Sequence, residues 1–93
     1  MKRYDWDIEK NQKLIKEHNI SFEEIVVLIE QSNLSDIVDH PVAKYQKMFI
    51  VDVKGYVYLV PFVEQDDGYF LKTIFANRKA TKEYLKEGDD YET

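Results

Sequence analysis

The sequence predicts an α+β fold, and three features of its patterning carry that expectation. Two helical segments with capping signals come first, a run of strands punctuated by glycine turns follows, and a short basic helical segment comes last. At the start, Tyr4 and Trp6 alternate with Arg3 and Asp5, the period of a short strand over residues 2–6. Asp7 can cap a helix from about Ile8 to Glu17, with a stripe of Asn11, Leu14, Ile15 and His18 among Lys10, Lys13 and Lys16. Asn19 tolerates the left-handed conformation that closes a helix. Ser21 and Glu24 then form a capping box, with Ile20 and Ile25 at hydrophobic-staple spacing. Phe22, Ile25, Val26 and Ile29 follow as a core-facing stripe that fades near Gln31-Ser32-Asn33.

The middle of the chain reads as strands. Ser35–His40 is a weak one, stopped by Pro41, and Lys47–Val53 is a strong one. Lys54-Gly55 is a turn, and Tyr56–Val63 is a strand whose Pro61 argues for a sheet edge or a bulge. The stretch Glu64–Gly68 is a hairpin loop with an Asp-Gly turn signal, and Tyr69–Ala76 is the last strand. Consecutive strands with short loops make an antiparallel meander. A helix near Lys79–Glu87, closed by Gly88, ends the chain. The expected architecture is an antiparallel β-sheet meander with the two N-terminal helices packed on one face, a short C-terminal helix, and the other sheet face partly open.

Ninety-three residues with 44% hydrophobic and 14% aromatic content fit one folded domain, residues 1–93, with a modest core. There is no cysteine, so disulfides and thiol nucleophiles are excluded. Two distant histidines make a structural zinc site improbable. The opening residues lack the apolar stretch of a signal peptide, and the apolar runs are too short to span a bilayer; a cytoplasmic protein is the expectation. The net charge of −5 disfavours nucleic acid at first, but its distribution is uneven. From Tyr69 to Lys82 the charged residues are Lys72, Arg78, Lys79 and Lys82, with no acid among them. From Glu83 onward acids dominate, ending in Asp89-Asp90-Tyr91-Glu92. The pattern is either two differently charged solvated surfaces or an anion-binding patch on an acidic protein.

Two blocks of residues carry a resemblance to a known family. The first is Tyr4-Asp5-Trp6-Asp7 with Lys10, followed by His18-Asn19-Ile20-Ser21-Phe22-Glu23-Glu24. The second is Ile74-Phe75-Ala76-Asn77-Arg78-Lys79-Ala80-Thr81-Lys82-Glu83-Tyr84. In order and spacing they resemble the BrnT toxins of bacterial type II toxin–antitoxin systems, small proteins with a RelE-like fold. The family pattern has Gly where Asn19 stands, and an acidic-Arg pair where this chain has Gln46-Lys47. Replacing Arg by Lys keeps the charge and loses the bidentate fork. Replacing the acid by Gln removes a possible general base.

The resemblance implies an endoribonuclease that uses the RNA 2′-hydroxyl as nucleophile, with no metal or other cofactor, and that inhibits translation. It also implies a cognate antitoxin, often a ribbon-helix-helix protein, with operator DNA bound only through the complex and no membrane partner. Such chemistry needs a proton acceptor, cations for the phosphorane charge and a proton for the leaving 5′-oxygen. Arg78 is the first candidate for the phosphate, because guanidinium is always charged and grips two oxygens; its competing role is a salt bridge to a C-terminal acid. Lys47 and Lys72, on meander strands, are candidate helpers, and Lys79 and Lys82 would add diffuse phosphate attraction. His40, before Pro41 in an exposed loop, is a titratable candidate near neutral pH. His18 reads as a packing or helix-capping residue, Trp6 as core. Tyr45, Tyr56, Tyr58 and Tyr69 can stack on bases, although tyrosines on a small sheet are more often core. The alternative is a catalytically degenerate toxin-like module acting only through a protein partner, which Gln46-Lys47 supports.

Overall fold

The computed structural model describes residues 3–84. The order is β1 (Arg3–Trp6), α1 (Ile8–His18), α2 (Phe22–Glu30), β2 (Leu34–Asp39), β3 (Lys47–Val53), β4 (Tyr56–Gln65), β5 (Gly68–Leu71), β6 (Phe75–Ala76) and α3 (Arg78–Tyr84). Strands β2 to β5 form the antiparallel meander expected from the sequence. The sheet order is β1-β5-β4-β3-β2, with β1 parallel to β5 and β6 pairing with β4. The sheet is therefore mixed, and the chain's opening strand closes one side of it.

Capping residues act where their side chains predict. The Asp7 carboxylate accepts from Glu9 N–H at 3.0 Å, and Ser21 Oγ accepts from Glu24 N–H at 3.1 Å. Asn19 adopts φ 56°, ψ 37°, the left-handed closure of α1. The β3–β4 turn places Lys54 at φ 56° and Gly55 at φ 86°, the two positive angles of a type I′ hairpin. The Asp52 carboxylate accepts from Gly55 N–H and closes that turn.

Both sheet faces are covered, each by a different part of the chain. Phe49, Val51, Val53, Val60, Phe62 and Leu71 pack with Leu14, Ile20, Phe22 and Ile25 of the α1–α2 layer. The Phe49 and Phe62 rings stack at 4.0 Å between centroids, and Tyr69 meets both edge-on. The alternate residues Met48, Ile50, Val57 and Leu59 face the other way and pack with Ala80 of α3. The second face is thus less open than the sequence suggests, because α3 folds back across it. Thr81 Oγ1 accepts from Val57 N–H at 2.9 Å, and the Tyr84 hydroxyl donates to Asp36 of β2 at 3.0 Å. Burial and this bond to a carboxylate push the Tyr84 hydroxyl pKa up.

Two sequence expectations are corrected. Pro61 lies in the central strand rather than at an edge. Its missing N–H falls where β4 passes from one partner to another: β5 pairs from Phe62 onward, β6 pairs at Tyr58 and Leu59, and the Pro61 carbonyl accepts from Lys72 N–H. Lys72 continues the β4–β5 register opposite Pro61 and donates to its carbonyl, so the bond that proline forgoes is the return bond to the Lys72 carbonyl, at the end of that ladder. The expected strand Tyr69–Ala76 is two strands, because the chain leaves the ladder at Lys72–Ile74 before pairing again. The expected hairpin forms, with its turn at Asp66-Asp67 and Gly68 paired with Gln65 without a positive φ. The role of Gly68 is close approach: β1 crosses it so tightly that a Cβ there would collide with the Arg3 carbonyl oxygen. The expected end of the last helix, Leu85 to Gly88, and the acidic tail lie outside the described residues.

One buried polar residue ties the helical layer together. Asn11 is 6% exposed; its carbonyl accepts from Phe22 N–H at 2.8 Å, and its amide donates to Glu23 at 2.8 Å. That bond satisfies a donor at the start of α2 that would otherwise be buried and unpaired. Asn11→Ala should cost about 1–3 kcal/mol, the usual penalty of orphaning such a group. The Asn11 amide also holds the Glu23 carboxyl below its ordinary value of 4.5. A depressed pKa adds stability above the unfolded value and loses it as pH falls through the folded one. Wild type should therefore lose a small increment below pH about 4.5 that the variant lacks. Thermal melts of both proteins across that range check this; parallel pH curves would count against it.

Candidate RNA-cleaving site

The cations singled out in the sequence do not gather at one point. Lys47 opens β3 opposite Asp39 and Phe62, on the sheet face that carries α1 and α2. It lines a cleft of about 240 Å³ with Asp39, Lys44, Tyr45 and Glu64. Two lysines and two carboxylates leave that cleft electrostatically balanced, a poor environment for a phosphate. Tyr45, 90% exposed, stands at its rim.

Arg78 lies on the opposite side. It is the first residue of α3, whose Ala80 packs on the other sheet face. The preceding residue, Asn77, is fixed twice: its N–H donates to Val57 C=O, and its side chain accepts from Ala80 N–H. Val57 and Phe62, the β4 neighbours of Asn77 and Lys47, are five residues apart, roughly 17 Å along the strand. Lys47 and Arg78 are thus separated by both distance and sheet face.

Lys72 shares the Arg78 side of the sheet. Its N–H bonds Pro61, four residues from Val57 and roughly 14 Å away along β4. Its ammonium sits 5.5 Å from the centroid of the Phe70 ring, a contact that keeps the charge exposed. On α3 the cations divide. Lys79 and Glu83, one turn apart, line a groove of about 410 Å³ over Val38, Pro41 and Met48. Arg78 and Lys82, also one turn apart, lie away from that groove.

Among the described residues, the one ion pair joins Arg3 and Asp5 at 3.2 Å. Arg78, Lys72, Lys79 and Lys82 are exposed and have no acidic partner there. Among the described residues, Arg78 and Lys82 are the cations of α3 that neither pair with an acid nor share a groove with one.

The sequence, order of elements and spacing all lead to one comparison. The sequence model of the ribonuclease toxin BrnT of type II toxin–antitoxin systems matches residues 6–83. The chain belongs to the BrnT toxin family. No curated protein and no solved structure matches it. Membership carries the coarse function, a ribonuclease toxin of a type II toxin–antitoxin system, and with it an antitoxin partner. No helix among the described residues is long and apolar enough to cross a membrane.

For a BrnT-family toxin, the two histidines prove more informative than their sequence positions. His40 is half-buried rather than exposed. Its Nδ1 accepts from Val42 N–H at 3.1 Å and Ala43 N–H at 2.9 Å, so this nitrogen organises the loop after β2 and is not free to take a proton from substrate. His18 is the reverse case. It is exposed and neither packs in the core nor caps its helix, since the terminal carbonyl of Ile15 is met by Asn19 N–H. It instead borders a cleft with Tyr58 and Phe75. Sequence reasoning missed this cleft because its walls come from α1, β4 and β6, which no local period connects. Trp6 is half-buried and packs against the core, stacked on Phe22 at 5.6 Å.

Proposed function

We propose that this chain is a metal-independent endoribonuclease that cuts RNA by attack of the 2′-hydroxyl on the adjacent phosphorus and so lowers translation. The observation that carries this reading is Arg78: an exposed guanidinium, on a backbone anchored by two Asn77 hydrogen bonds, without an acidic partner among the described residues, in a BrnT-family chain. An exposed guanidinium on an anchored helix start, with no acidic partner among the described residues, is suited to the charge that grows on phosphate oxygens in the transition state. Lys72 and Lys82 supply secondary attraction to neighbouring phosphates. Lys47 and His40 have smaller parts in this reading, for the reasons of placement and hydrogen bonding given above.

The partner is an antitoxin, expected to be a ribbon-helix-helix protein whose acidic stretch covers the Lys72–Lys82 patch. Complementary charge speeds encounter and fixes register, and covering Arg78 would block RNA by occupancy. Operator DNA would then be bound through the complex.

The test has two arms. Induced expression in a bacterium should arrest growth and protein synthesis, and co-expressed antitoxin should restore both. Purified protein should cleave single-stranded RNA in the presence of a chelator, leaving 2′,3′-cyclic phosphate and 5′-hydroxyl ends. Unimpaired growth together with intact RNA would favour a toxin-like module that acts only by holding its partner, the reading to which Gln46 lends support.

A further inference from the structure

We infer that Thr81 is a positioning residue for RNA cleavage: its hydroxyl locks the first turn of α3 to β4 and so fixes the backbone from which Arg78 reaches a phosphate. The inference rests on the ribonuclease reading and on the place of Arg78 in it, and it names a second residue for the same step.

The decisive geometry lies where β6 becomes α3. β4 and β6 run antiparallel, with Leu59 opposite Phe75 and Tyr58 opposite Ala76. One step further, Asn77 N–H donates to the Val57 carbonyl at 3.0 Å. In an antiparallel ladder such a pair exchanges two bonds, one in each direction. Here the Asn77 carbonyl has already turned into the helix, where it accepts from Thr81 N–H at 3.0 Å. Val57 N–H instead donates to Thr81 Oγ1 at 2.9 Å, and that hydroxyl donates to the Asn77 carbonyl at 2.8 Å. The side chain thus carries the ladder one rung past the point where the strand has become a helix.

Two properties make this bridge a mount for Arg78. It ties both ends of the first turn, Asn77 and Thr81, to a single residue of the central strand, and Arg78 lies between them. Val57 is fully buried, so its N–H depends on an acceptor supplied by the chain, and Thr81 supplies it. The Thr81 proton is committed to Asn77, so the hydroxyl is placed to orient and not to act on substrate itself.

The test compares Thr81→Val with Thr81→Ser in single-turnover cleavage at saturating RNA. A thermal melt and binding of a 2′-O-methyl oligoribonucleotide, which cannot supply the attacking hydroxyl, are measured on the same preparations. Thr81→Val keeps the branched shape and removes the bridge; cleavage should fall roughly tenfold to a hundredfold, the effect of a displacement of about 1 Å. Oligonucleotide affinity and its salt dependence should stay as in wild type, because no charge is removed. Thr81→Ser keeps the hydroxyl and should cleave as wild type does. In an Arg78→Ala background Thr81→Val should cost no further rate, because the group it positions is gone. An equal loss with and without Arg78 would show that the hydroxyl serves the fold alone and would overturn the inference. A wild-type rate in folded Thr81→Val, or Thr81→Ser as slow as Thr81→Val, would overturn it too. Should Thr81→Val not fold, Thr81→Cys carries the same cycle, since a thiol bridges weakly. Its loss of rate must then vanish in the Arg78→Ala background, and a loss that persists, or no loss at all, overturns the inference. A wild-type protein that cleaves no RNA would defeat the ribonuclease reading itself, and this inference with it.

Discussion

Arg78→Ala is expected to fall in RNA cleavage by roughly two to three decades while folding as wild type does. The two halves of that expectation have separate causes. The side chain is exposed and makes no hydrogen bond or ion pair among the described residues, so its removal breaks no structural contact there. The helix start is held by Asn77 and not by Arg78, and alanine has a slightly better helix propensity; stability should change by no more than about 0.5 kcal/mol. The loss of rate follows from removing a donor aimed at developing charge, typically worth about 3–4 kcal/mol of barrier. Arg78→Lys restores charge without the bidentate fork and should recover only part of the activity. Single-turnover cleavage and a thermal melt on the same preparations decide the matter. A folded Arg78→Ala protein that still cleaves and still arrests growth would show that the phosphate is held elsewhere.

The largest expected effect on stability comes from a residue with no side chain. Gly68→Ala places a methyl on the Arg3 carbonyl oxygen and 2.7 Å from both the carbonyl carbon and the nitrogen of Arg3. These are backbone atoms, so no rotamer change can relieve the collision. Either β1 lifts from β5 or the hairpin before Gly68 distorts, since Arg3 N–H is also bonded to the Asp67 carbonyl. Lifting β1 gives up the pairing from Arg3↔Gly68 to Trp6↔Leu71 and withdraws Tyr4 and Trp6 from the core they pack against. Overpacking of this severity costs about 3 kcal/mol. In a domain of this size that corresponds to a fall in Tm of about 12–24 °C. Hydrogen exchange at residues 3–6 should accelerate before exchange in β3 and β4, because those strands keep both neighbours. A variant melting within a few degrees of wild type would show that β1 is not seated as tightly as the structure has it.

The same two residues illustrate what can be read without coordinates. Arg78 was legible as a candidate because chemistry restricts phosphate grip to few side chains and its segment contains no acid. Gly68 was legible as part of the β4–β5 hairpin, whose turn at Asp66-Asp67 it closes, but the close approach of Arg3 was not. A turn is a local property, whereas collision with Arg3 joins two residues 65 positions apart. Lys47 and Lys72 resemble each other in sequence, each a lysine on a meander strand. Only the register shows one on the α1–α2 face among acids and the other on the face of α3.

What the sequence determined by itself is therefore local and periodic. It set α1 and α2 through the caps Asp7, Asn19 and Ser21, the type I′ turn at Lys54-Gly55, and the strands β3 and β4, because these follow from side-chain hydrogen bonds and alternation within a few residues. The tertiary structure decided the rest. It chose the parallel seat of β1 beside β5, the place of Pro61 at the end of the β4–β5 ladder, the fold of α3 across the second sheet face, and the division of the cations between two faces. It also drew His18 out of its expected packing role and set it beside Tyr58 and Phe75. Each of these depends on contacts between segments far apart in the chain, and such contacts form only when the apolar faces of helices and sheet are buried against one another.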